Sequence, residues 1–241
     1  MKYLYRIYQI IVGIPLGLLS TILTAVTTTV GCAIGNGHFW GYYPGKLWGR
    51  FLLRMLLLPV HIEGREKLSR KHSYVFVANH QGAFDIFLIY GFLGRNFKWM
   101  MKQSLRKMPF VGTACHYAHH IFVDKSSPAK VKATYDKARE VLKEGMSLVV
   151  FPEGARTRDG NMGTFKRGAF MLADELQLPI VPLTINGSFD VLPRSRDGKW
   201  ITWHPLKLTI HDPIPPYGQG ADNVRKLMEV SREVISSKLD R

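Results

Sequence analysis

The chain has 241 residues, 46% hydrophobic and 21% charged, enough for one sizeable domain with an accessory segment, and this composition excludes a disordered, collagenous or disulfide-scaffold protein. Two cysteines, Cys32 and Cys115, cannot build a disulfide framework and fit a reducing compartment. Lys and Arg number 33 against 18 Asp and Glu, a net charge of +15, so the partners to expect are anions: nucleic acid, anionic headgroups, phosphorylated metabolites or an acidic carrier.

The first element is apolar. No Asp, Glu, Lys or Arg occurs between Arg6 and Lys46. As a straight helix, residues 7–35 would measure about 44 Å against a hydrocarbon core of about 30 Å, long enough to span a bilayer with tilt. Gly13, Pro15 and Gly17 interrupt the first half, so a kink or a re-entrant helix pair is equally open. Leu47–Val60 is too short to span; Arg50 and Arg54 share a helix face there, the pattern of a helix lying at a membrane surface with its cations toward phosphates. Basic residues flank the apolar run on both sides, so the positive-inside comparison does not choose an orientation, a balance that favours both ends lying on the cytosolic side. Residues 1–60 thus read as a membrane-binding helical segment and 61–241 as a separate domain.

From His61 onward strand and helix signals alternate, which predicts an α/β layer structure with a central, mostly parallel or mixed sheet flanked by helices. Strands are expected at Ser73–Asn79, Phe97–Met101, His119–Asp124, Met146 onward, Pro179–Ile185 and Leu206–Asp212. Helices are expected at Phe84–Leu93, Pro128–Lys143 with Gly145 as its C-terminal stop, and Gly168–Leu178. A last amphipathic helix follows, capped by Asp222.

Two loops carry candidate chemistry. In ANHQGAFD, His80 and Asp85 are five apart, about 140° around a regular helix. They can meet only if His80 sits in the turn before the helix, a turn that Gly82 would ease. A carboxylate on Nδ1 would fix the tautomer and leave Nε2 as a base. No serine adjoins the pair, so the nucleophile is expected from the substrate, for instance a hydroxyl. In VVFPEGARTRDG a strand ends at Phe151 and presents Glu153, Arg156 and Arg158; arginine suits phosphate, and Glu153 would orient an arginine or bind an acceptor hydroxyl.

These residues resemble the motifs of the glycerolipid acyltransferase family, whose bacterial type member acylates 1-acyl-glycerol-3-phosphate. Asn79, His80 and Asp85 match its first motif. Phe151, Pro152, Glu153, Gly154 and Arg156 match its third, with Ala155 where the family has Thr. Val181, Pro182, Leu183 and Ile185 match its fourth. Lys102–Leu105, Pro109–Gly112 and Phe165–Ala169 are similar to further family elements, and the resemblance covers Ile62 to Ile214. In the second motif Val123-Asp124-Lys125 stands where Ile-Asp-Arg is usual; lysine keeps the charge and loses the fork.

The resemblance implies a glycerol-3-phosphate acyltransferase-like fold and an O-acyltransferase needing no cofactor. His80 would be its general base and Asp85 would orient it. Lys102, Lys125, Glu153, Gly154 and Arg156 would hold the phosphate-bearing acceptor, with Asn79, Phe151, Pro152, Val181 and Pro182 supporting them. The implied partners are membrane lipids, with lysophosphatidic acid as acceptor and acyl-CoA or an acyl-carrier protein as donor, at the cytoplasmic side of a bacterial inner membrane. Glycerol-3-phosphate, a lyso-phospholipid or a lyso-aminolipid are alternative acceptors.

Two other readings are weaker. Cys115, His116, His119 and His120 are dense potential metal ligands, but no second cluster stands at a recognised spacing, and no metal is expected. No nucleic-acid-binding signature accompanies the positive charge, so nucleic acid is not expected as a partner.

Overall fold

The computed structural model describes residues 2–69, 71–143, 145–196 and 200–240. The amino-terminal run is a single helical rod: α1 (Lys2–Tyr8), a π-helical turn at Gln9–Gly13, and α2 (Ile14–Ile34). Pro15 stands in the first turn of α2, directly after the π-helical turn, and the helix runs on through it from Lys2 to Ile34. The Asn36 side chain accepts the N–H groups of His38 and Phe39 and starts α3 (Gly37–Trp40), after which α4 (Tyr43–Met55) returns along α2. A Cβ added at Gly13 would touch Leu56, one at Gly17 would touch Leu52, and the Trp48 indole N–H donates to Thr21 at 3.1 Å. These pairings run in opposite directions along the two helices, so α2 and α4 form an antiparallel hairpin. Arg50 departs from the expected outward display: its Nε donates to the Gly91 carbonyl at 2.7 Å, answering the negative helix end there.

The rest is a seven-stranded sheet between two helical layers. Its strands are β1 (Val60–Glu63), β2 (Val75–Ala78), β3 (Phe97–Lys102), β4 (Ile121–Val123), β5 (Ser147–Val150), β6 (Ile180–Asn186) and β7 (Leu206–Ile210), in the order β1-β7-β6-β2-β5-β3-β4. All neighbours are parallel except β6 and β7. Between the strands lie α5 (Phe84–Phe92), α6 (Val111–Tyr117), α7 (Pro128–Lys143), α8 (Gly168–Glu175) and α9 (Ser188–Val191), and α10 (Ala221–Ser236) ends the fold. β2 is buried on both faces, as a central parallel strand must be. Phe76 and Ala78 pack with Leu53, Phe84, Leu88 and Ile89 from α4 and α5; Val75 and Val77 pack with Leu142, Phe170 and Leu227 from α7, α8 and α10. Pro182 is tolerated in a central strand because β6–β7 pairing starts at Leu183, beside a one-residue slip between Leu183↔Ile210 and Ile180↔Ile214.

Two expectations are corrected, and one strand is added. β4 covers only Ile121–Val123: His119 is in a left-handed turn (φ 57°) and Cys115–Tyr117 are helical. Asp222 does not cap α10. Gly220 occupies the cap position, and Asp174 of α8 accepts the Gly220 N–H at 3.0 Å and the Asn223 side-chain amide at 2.6 Å. Asp222 lies in the first turn and pairs with Arg225, where an acid still favours the helix dipole. Finally, β1 is a strand that the pattern did not announce.

Candidate active site

Strands β2, β5, β3 and β4 are neighbours and parallel, so their carboxyl ends lie on one edge of the sheet, the edge where open α/β sheets place their sites. The turn between β2 and α5 carries the first motif. Asn79 anchors it: its amide donates to the Ile185 carbonyl at 2.9 Å, and its oxygen accepts the Ile185 N–H at 2.8 Å. His80 follows in the turn and Asp85 is in the first turn of α5. His80 Nδ1 lies 2.7 Å from Asp85 Oδ2, which also accepts the main-chain N–H groups of Gln81 (2.8 Å) and Gly82 (3.1 Å). Asp85 is fully buried, and a carboxylate held by those two amides accepts from Nδ1–H, leaving Nε2 with its lone pair. Gly82 is required by close approach: a Cβ there would lie 2.4 Å from the Ser188 carbonyl oxygen.

The third motif lies directly beneath. The Phe151 ring stacks on the His80 imidazole at 3.9 Å and 9°, and Trp99 stacks on Phe151 at 5.6 Å. Pro152 is buried, and its carbonyl accepts the Lys166 N–H at 2.9 Å. Gly154 turns the chain at φ 74°, a conformation that favours glycine, and Lys166 Nζ comes within 2.7 Å of the point a Cβ would occupy. Glu153 accepts the His80 N–H (2.8 Å) on one oxygen and the Gly163 N–H (2.7 Å) on the other. Burial raises its pKa above the usual carboxylate value, the two amides and His80 pull it back, and the Asp85 charge adds to the rise.

The cations gather on the same edge. Lys102 ends β3, Lys125 lies just beyond β4, and Lys166 precedes α8. Partial burial, then the charges of Lys166 and Lys102, push the Lys125 ammonium below its ordinary value. Arg156 is half-buried in the third-motif loop. A cluster of mutually repelling ammonium groups beside a base is suited to a dianionic ligand.

Not every expected residue lies here. Val181 and Pro182 sit inside β6 opposite Phe76 and Val77, where they support β2 from the core. Lys166 is a site cation that the motif run Phe165–Ala169 contained and the site reading left out. In the histidine-rich stretch, His120 has both ring nitrogens engaged, with the Tyr90 hydroxyl (2.7 Å) and the Trp99 N–H (3.2 Å). Burial pushes the Cys115 thiol up to about 11. Among the described residues no group of three or more His, Cys, Asp or Glu is placed to hold a metal ion.

This fold and this edge define an α/β protein with its candidate site at the carboxyl ends of parallel strands. Residues 59–186 match the family described as acyltransferase, which is more than half of the chain, and the chain belongs to that family. A chloroplastic 1-acyl-sn-glycerol-3-phosphate acyltransferase of Arabidopsis thaliana is 30% identical over 200 residues, 83% of this chain and 54% of that protein. The 1-acyl-sn-glycerol-3-phosphate acyltransferase of Saccharomyces cerevisiae is 31% identical over 196 residues, 78% of this chain and 62% of that protein. The crystal structure of the 1-acyl-sn-glycerophosphate (LPA) acyltransferase PlsC from Thermotoga maritima matches with a TM-score of 0.71 at 27% identity, covering 93% of this chain and 95% of that one. The chain spans about half the length of the first curated relatives it matches.

Proposed function

We propose that this protein transfers an acyl chain from a thioester, acyl-CoA or acyl-carrier protein, to the free hydroxyl of 1-acyl-glycerol-3-phosphate, giving phosphatidic acid. The observation that carries the reading is the 2.7 Å bond between His80 Nδ1 and buried Asp85, beside a lysine cluster. Nε2 takes the hydroxyl proton as the oxygen attacks the thioester carbonyl carbon. The C–S bond breaks, the thiolate leaves, and the proton on Nε2 passes to it, so no acyl-enzyme forms and no cofactor is required. Asp85 stabilises the imidazolium between the two transfers. Lys102, Lys125, Lys166 and Arg156 hold the acceptor phosphate, with Gly154 allowing the close approach, and so place the hydroxyl for attack. The names of the relatives support this acceptor.

Residues 1–60 serve membrane attachment and 61–241 catalysis in this reading. Lys2–Ile34 is long and apolar enough to cross a membrane, and only 11% of its most apolar stretch is buried in the protein. The hairpin nevertheless touches the domain at both ends: Gln9 bonds to the Ile201 backbone in both directions, and Gly41 packs against Ala118. A rod fixed along the domain in this way favours lying in one leaflet over crossing it. Exposed Leu105, Met108, Phe110 and Tyr117, next to Lys102 and α6, which packs on α2, extend the apolar surface to the site mouth. The positive charge suits the anionic cytoplasmic face of a bacterial inner membrane. The test is product identification: one labelled acyl thioester is offered with lysophosphatidic acid, glycerol-3-phosphate, lyso-phospholipid and lyso-aminolipid. Labelled phosphatidic acid as the main product supports the reading; another main product replaces the acceptor.

A further inference from the structure

The geometry assigns Glu153 to positioning: its carboxylate clamps the main chain of His80 and does not hold the acceptor. This deepens the reading above and rests on it. The family resemblance placed Glu153 among the acceptor's ligands, but three observations point elsewhere. Both oxygens are engaged by main-chain amides, Oε1 by His80 and Oε2 by Gly163. A phosphomonoester is an anion, so a carboxylate at its side would oppose Lys102, Lys125 and Lys166. The loop that carries Glu153 also holds the other side of the same residue, because the Thr157 N–H donates to the His80 carbonyl at 2.9 Å. His80 is in a turn outside any strand or helix, so its backbone needs such external bonds to aim the ring. Thr157 is itself fixed, its hydroxyl donating to Asp159 at 2.9 Å and accepting the Gly160 N–H at 3.1 Å. The base is therefore held at three points: the ring by Asp85, the N–H by Glu153, the carbonyl by Thr157.

A glutamine at 153 offers one acceptor oxygen and turns an NH2 toward the other amide, leaving one clamp bond unmade. The expected result for Glu153→Gln is a kcat lower by about tenfold to a hundredfold, with KM for lysophosphatidic acid within about twofold. Glu153→Asp keeps the charge, cannot reach both amides, and should show the same split. Hydrogen exchange gives a readout independent of turnover: the His80 and Gly163 amides should exchange faster in Glu153→Gln while β5 and α8 stay protected. A raised KM at unchanged kcat, or unaltered His80 and Gly163 exchange in both variants, overturns the proposal. Should the wild-type protein acylate none of the acceptors, the functional reading fails, and the exchange result still decides whether Glu153 is the clamp.

Discussion

The turn that carries His80 and the cluster of Lys102, Lys125 and Lys166 share one sheet edge but are held by different forces. In the turn, Asp85 Oδ2 alone gathers three partners, and the main chain of His80 is bonded on both sides. The lysines are exposed, come from three separate segments of the chain, and the charges of Lys166 and Lys102 push Lys125 away from its charged form. In the proposed mechanism a turn whose main chain is bonded on both sides holds His80 against a cationic cluster, whose repulsion an incoming anion would relieve. The contrast says that orientation belongs to the turn and affinity to the lysines, so damage to each should show in a different kinetic constant.

The largest break should come from Asp85→Asn, which keeps the shape but spoils the tautomer of His80. A kcat lower by roughly 10³–10⁴-fold is expected in steady-state assays, with membrane binding and melting temperature retained. Near-normal turnover would remove Asp85 from the mechanism. A smaller effect of the other kind is expected from Lys125→Ala or Lys166→Ala. Each should raise KM for lysophosphatidic acid about tenfold with kcat little changed, and the penalty should shrink as ionic strength rises. A kcat effect without a KM effect in both variants would erase the division of labour.

The smallest effect lies behind the site. Burial first, with the charges of Lys98, His119 and Lys137, holds His120 down at about 3. The unfolded chain takes up that proton near 6.5, so the contribution is fully present above about pH 6.5 and is lost as pH falls toward 3. Urea unfolding across this window should show stability falling with acid, and His120→Gln should reduce that slope by about one proton. An unchanged slope would mean that His120 is not the titrating group.

Much of this was legible in the sequence because the strongest signals are local. Val75–Ala78, Ser147–Val150 and Ile180–Asn186 are near-continuous apolar runs, the mark of strands covered on both faces. The His80–Asp85 spacing required a turn before a helix, and the structure has one. What escaped was long-range. Val60–Glu63 is four residues with alternating exposure, paired on one side, with little apolar content to announce it. Gly220, at the cap position of α10, is held by Asp174, 46 residues away, so local reading chose the nearer Asp222. The Glu153 bond to the His80 amide crosses 73 residues, and no spacing rule could reveal that it ends on a main-chain amide. In the amino-terminal rod the helix passes Pro15 directly after a π-helical turn, a local change of winding that composition does not specify.

The central claim is that the imidazole of His80 deprotonates the acceptor hydroxyl. It is tested most directly by giving the wild-type protein and His80→Ala, both bound to vesicles, the same labelled acyl thioester with lysophosphatidic acid, and following labelled phosphatidic acid by mass spectrometry. Phosphatidic acid is expected from the wild type, and from the variant a rate at least about 10²-fold lower at equal membrane occupancy. Equal rates from the two proteins would contradict it.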